Sequence, residues 1–146
     1  MKPEVDKKVH DNAAYYTIRW SHLTKVDKYT IATAVPAVGG IFELYYEDIK
    51  KKLNLFFVSK AWFGGLRNQI RKQTDPELED DPFRRNILNT YTCYYRYSML
   101  ESFSDMSDII FFFAKTYFPH KMVAESSGRY EHIFIKELSD DKIVTI

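Results

Sequence analysis

A disulfide needs two thiols, and this sequence supplies one, Cys93. Internal disulfides and multi-cysteine zinc sites are therefore excluded. Cys93 sits in TYTCYYRY, a strand-like stretch, and reads as a small buried hydrophobe. Long apolar runs are also missing. The longest, IIFFFA at 109–114, is far short of the ~20 residues that span a bilayer. The opening MKPEVDKKVHDN has no apolar centre and does not read as a secretory signal. The expectation is a cytoplasmic protein with no membrane association. No single sign of charge dominates: the formal net charge is +1, which argues against a strongly basic nucleic-acid coat but leaves room for a local patch. His10, His22, His120 and His132 show neither HxxxH nor HExxH spacing, so no zinc site follows. GxSxG, GxxxxGK[ST] and GxGxxG are absent too.

What is present is a chain of 146 residues, the usual size of one domain. It is 45% hydrophobic and 16% aromatic, with eleven Tyr and eleven Phe. Much of that aromatic surface must be core, because burying large rings drives collapse most strongly.

Residues 1–12 are polar and read as a frayed segment, with a single globular domain over 13–146. YYTIRW (15–20) and YTIATAV (29–35) read as strands, the second ended by Pro36. IFELYYE (41–47) and LNLFFV (53–58) read as a hairpin around 48–52. In 62–73, Phe63, Leu66 and Ile70 recur at helical spacing, and Asp75-Pro76 stops that helix. A short helix over 83–88 precedes the strand TYTCYYRYSML (90–100). A second main helix covers 105–117, capped by Ser104, with Ile109, Phe112, Phe113 and Tyr117 as its buried stripe. RYEHIFIKE (129–137) alternates like a strand, with DKIVTI (141–146) as its expected partner. The fold class expected is α+β: one domain with a mixed or mostly antiparallel sheet packed by helices 62–73 and 105–117.

One stretch raises a functional question. In KAWFGGLRNQIR, Gly64 and Gly65 stand at the joint between a strand and a helix, and Arg67 and Arg71 project together at i and i+4. Such a joint either brings backbone N–H groups to a phosphate or packs tightly against a sheet. The arginines suit phosphate or carboxylate, with Arg84, Arg85 and Arg96 as extensions of the patch; otherwise they solvate a helix face opposite Glu77, Glu79, Asp80 and Asp81. Tyr94, Tyr95 and Tyr97 interleaved with Arg96 make a base-stacking platform or a packed strand. Asp105 and Asp108 are either helix-start carboxylates or ligands of a divalent ion.

Over residues 39–117 the order of pieces resembles the GIY-YIG nuclease family. Gly40-Ile41-Phe42 stands as the first motif and Phe57-Val58-Ser59 as the second. Arg67 falls ten positions after Phe57, and Asp108 stands for the metal-binding glutamate of the later helix. The resemblance implies tyrosines that activate water and hold the scissile phosphate, and Phe42 and Phe57 carry no hydroxyl. General acid–base help is typically worth ~100- to 10,000-fold, so the resemblance implies a catalytically silent relative. Tyr45 and Tyr46 are substitutes for the lost phenols, but adjacent strand residues face opposite ways.

The reading is a non-catalytic binding or interaction module without a cofactor, its partner a protein or a nucleic-acid backbone. Its candidate phosphate-binding residues are Gly64, Gly65, Arg67, Arg71 and Arg96. The alternative is a metal-dependent phosphodiesterase or nuclease of GIY-YIG-like type, with Arg67 as phosphate clamp and Asp108 as the ligand for Mg²⁺ or Mn²⁺. Either phosphate-handling version expects the arginines and Asp108 to open into one hollow.

Overall fold

The computed structural model of the protein describes residues 2–141. Its elements run β1 (Val5–His10), β2 (Ala13–Arg19), β3 (Thr24–Lys25), α1 (Lys28–Ala34), β4 (Gly40–Glu47), β5 (Leu53–Ala61), α2 (Gly65–Gln73), α3 (Pro82–Thr90), β6 (Thr92–Met99), α4 (Phe103–Tyr117) and β7 (His132–Leu138). The class is α+β, as expected, but the strands divide between two sheets. One has the order β1-β2-β7 and the other β3-β6-β4-β5. Every pairing is antiparallel except that of β2 with β7. The short connections explain the antiparallel pairs, and the long excursion between β2 and β7 permits the parallel one.

Two expected elements take a different form. The segment expected as a strand at 29–35 is helical from Lys28 to Ala34, with Val35 as its C-cap. Asp27 caps it by accepting from the amides of Tyr29 and Thr30 at 2.8 and 3.1 Å. The apparent alternation of Ile31, Thr33 and Val35 resolves into an i, i+4 pair, Ile31 and Val35, both fully buried. Burial of that pair overrides the modest helix preference of β-branched residues. The N-terminal segment is not frayed: Val5–His10 pair along the whole of β2 from Ile18 to Ala13. The charges on β1 hide this in the sequence, because the inward Lys7 breaks an otherwise apolar alternation.

Smaller shifts concern helix ends. α2 begins at Gly65 rather than 62. α4 begins at Phe103, capped by Ser102, whose Oγ accepts from the Asp105 amide, and not by Ser104. Ile109 and Phe113 are buried as expected, whereas Tyr117 stands half-exposed with its hydroxyl donating to Glu137. The expected last strand at 141–146 lies outside the described residues except for Asp141.

The four-stranded sheet is covered on both faces. On one, Phe42, Leu44 and Tyr95 pack against Ile31 and Val35 of the α1 segment and Leu66 and Ile70 of α2. On the other, Ile41 and Val58 pack against Met106, Ile109 and Phe113 of α4, which also meets Tyr16 and Ile18 of β2. The layers therefore run α1/α2, four-stranded sheet, α4, three-stranded sheet. Backbone bonds tie the sheets at one end, from Met99 N to Pro3 O and from Ser21 N to Tyr97 O. Among the described residues no helix is long and apolar enough to cross a membrane.

Candidate functional site

Gly65 packs closely at the joint between β5 and α2. Gly64 and Gly65 have positive φ, 76° and 73°. Two amides at the start of α2 are taken: Leu66 N donates to Val38 O at 2.8 Å and Arg67 N to Pro36 O at 3.2 Å. A Cβ on Gly65 would sit 2.9 Å from the carbonyl carbon of Ala37, so the glycine is required by close backbone approach.

Each arginine of the expected patch is likewise engaged within the protein. Arg67 Nε donates to Val35 O at 2.7 Å, placing a cation at the C-terminal end of α1, where the helix dipole favours it. Arg71 binds Asp75 at 2.9 Å. Arg96 is buried, donating to Glu43 at 2.6 Å with its guanidinium over the Trp20 ring. Tyr95 lies in the α1/α2 core, whereas Tyr94 and Tyr97 are half-buried.

The four-stranded sheet lies between Arg67 and Asp108, because α2 covers one face and α4 the other. Asp108 is almost wholly buried. Its carboxylate accepts from Ser127 N at 2.6 Å, Ser127 Oγ at 2.8 Å and Arg129 at 3.0 Å. Among the described residues no three His, Cys, Asp or Glu side chains gather as metal ligands. Among the described residues the arginines and Asp108 do not open into one hollow, because α2 and α4 pack on opposite faces of the sheet.

Asp108 instead helps to build a wall. Asp105, one turn earlier, accepts from Lys7 at 2.8 Å, Tyr16 at 2.9 Å and Arg129 at 2.8 Å. Burial pushes the Asp105 carboxyl up, but these three donors outweigh it and hold the group below its ordinary range. Burial and Asp105 together push the Tyr16 phenol far up, so it stays a donor. The network fastens residues 127–129 to α4, and the segment just before them closes over a cleft.

That cleft, of about 710 Å³, lies between the end of β5, the first half of α4 and residues 122–127. Lys60 enters from β5. Its Nζ donates to Ser107 Oγ at 3.1 Å and rests over the Phe103 ring at 4.2 Å. Trp62 packs edge-on against Phe103 at 5.5 Å and supports that ring. Ser59, Ser104 and Ser126 add hydroxyls to the lining, and Glu125 is its one carboxylate. Among the described residues no carboxylate forms an ion pair with Lys60.

A family model matches residues 4–146, and its description is "Uncharacterised protein". The chain belongs to that family. No curated protein and no solved structure matches it.

The sequence contained Lys60 at the head of KAWFGG but no local signal linking it to Ser107, 47 positions later. Only the packing of α4 against β5 brings them together. The serines at 104, 107, 126 and 127 are unremarkable by spacing, because two come from a helix and two from a loop.

Proposed function

We propose that the protein is a non-catalytic binding module and that the ligand of its β5–α4 cleft carries a phosphate or carboxylate group. The observation that carries this reading is the Lys60 ammonium, which faces a hydroxyl-lined hollow without a carboxylate partner. A cation held by a hydroxyl and an aromatic ring is pre-positioned, so an anion that binds it orders little. Ser107 accepts from Lys60 and keeps its own hydrogen for a ligand oxygen. A degenerate relative of the GIY-YIG nucleases, lacking phenols at Phe42 and Phe57, is compatible with a binding role.

Thermal unfolding and calorimetry test the reading, with inorganic phosphate in one arm and succinate in another. The free energy a bound anion adds raises the melting temperature with concentration. Replacing Lys60 by Met keeps the apolar stem and removes the charge. That variant is expected to bind about tenfold or more weakly, as loss of a charged hydrogen bond implies. Ser107→Ala is expected to weaken binding by less. The reading fails if neither anion stabilises the protein, or if Lys60→Met responds as the parent does.

A further inference from the structure

The outer face of the three-stranded sheet carries an aromatic file that the cleft does not explain. Strand register sets Lys8, Tyr15 and Phe134 in one row across β1, β2 and β7. The next row holds Asp6, Thr17 and Lys136, and the row on the other side holds His10, Ala13 and His132. Ala14, Tyr16 and Ile18 of the same strand point inward and form core, so these rows lie on the outer face, where Ala13 is buried and Lys8, Tyr15, Phe134, His132 and Lys136 are exposed. Tyr15 and Phe134 stack with centroids 5.1 Å apart and planes 19° from parallel. His132 extends the file against Phe134 at 6.2 Å and 24°. Tyr15 is 44% exposed and Phe134 48%.

The charge around the rings has one prevailing sign. Arg19 and Asp6 neutralise each other, and His10 lies beside Asp11. Lys8 and Lys136 are exposed and form no ion pair among the described residues. Along the edge of β7 that pairs with no described strand, a hollow of about 290 Å³ lies between that strand and α4. His132 and Phe134 line it together with Lys115, with Glu131 as its carboxylate. Lys115 also forms no ion pair and lies over the Phe111 ring at 5.1 Å.

We infer that this face binds single-stranded nucleic acid. A nucleobase extends the file by stacking on its outer rings, Tyr15 and His132, with Phe134 holding the two in line, while Lys8, Lys136 and Lys115 take the phosphates. A file of stacked rings on an exposed sheet face suits bases, because every unpaired base offers a π-face that continues the stack, whereas a duplex hides those faces. Three unpaired cations flanking the rings complement a polyanion better than an apolar protein surface. The net charge of +1 makes the predicted binding modest and sensitive to salt.

Fluorescence anisotropy with a short labelled deoxythymidine oligomer and a uridine oligomer at low salt tests the inference. The parent protein is expected to bind both, and a duplex of the same length more weakly. Phe134→Ala and Tyr15→Ala are each expected to weaken binding about 5- to 150-fold. Both residues face solvent, and circular dichroism confirms that the variants fold. Replacing Lys8 and Lys136 by Gln is expected to reduce the slope of log affinity against log salt by roughly 1.4. Lys60→Met is expected to leave oligomer binding unchanged, which separates this face from the β5–α4 cleft. Absence of binding at low salt, equal affinity for duplex, or indifference to Phe134→Ala would each overturn the inference. So would sedimentation showing that the face closes on a second copy and that Phe134→Ala merely frees the monomer.

Discussion

Arg96 and Glu43 stand opposite each other on β6 and β4 and form an ion pair at 2.6 Å that is almost completely withdrawn from solvent. Around them, Tyr45 donates to Glu43 at 2.9 Å, Trp20 donates to Glu137 at 2.8 Å, and Glu137 lies 3.7 Å from Arg96. The pair joins the sheet layer to the segment that follows β2. A guanidinium so placed serves the interior and is closed to a ligand.

Removing one member strands the other charge in the interior. Arg96→Met is expected to destabilise the protein by about 3–5 kcal/mol in urea denaturation. The double variant Glu43→Leu/Arg96→Met is expected to recover a large part of that loss, because no buried charge is left alone. A double variant no more stable than Arg96→Met would contradict the assignment.

Acid should act through Asp105. The folded protein holds this carboxyl below its ordinary value of 3.8, so the unfolded chain binds the proton more tightly. The stability it contributes is therefore complete above that value and is lost as pH falls through the lower folded value. Asp105→Asn is expected to cost about 1.5–3 kcal/mol at neutral pH. The gap between parent and variant is expected to close on acidification below 3.8, read from denaturation at a series of pH values. Asp48 and Asp75 shift in the same direction, so the comparison with the variant, not the parent curve alone, isolates Asp105.

Two glycines with similar backbones should respond differently to a methyl group. Gly65 has φ 73° and Gly128 has φ 79°. A Cβ on Gly65 meets the backbone of Ala37 and Val38 at 2.9–3.0 Å, whereas one on Gly128 meets nothing within 4 Å. Gly128→Ala is expected to cost about 1 kcal/mol from conformation alone. Gly65→Ala adds the clash and is expected to cost about 2–4 kcal/mol. Equal losses in chemical denaturation would mean that the joint is looser than described.

The hairpin of β4 and β5, the strand β6 and the helices α2, α3 and α4 were legible because their residues recur with periods of two or near 3.6. The chain at 29–35 was not, because Ile31, Thr33 and Val35 satisfy period two while Ile31 and Val35 also satisfy i, i+4; only the capping Asp27 favours the helix. Division into two sheets was hidden because β7 pairs with β2 across most of the chain, a contact that local pattern does not encode. The arginines illustrate the same limit. Spacing showed that Arg67 and Arg71 share a helix face, but not that the end of α1 would take one and Asp75 the other. Phe134 and His132, by contrast, occupy the solvent phase of an alternating strand, and their exposure matches HIFIK read with period two.

The anion reading of the β5–α4 cleft is tested most directly by following every backbone amide while inorganic phosphate is added. The account predicts saturating shifts at Lys60, Ser104, Ser107 and Ser126 that disappear in Lys60→Met, with Arg67, Arg71 and Arg96 unmoved. Shifts centred on Gly65 and Arg67, or a uniform drift with no site, would contradict it.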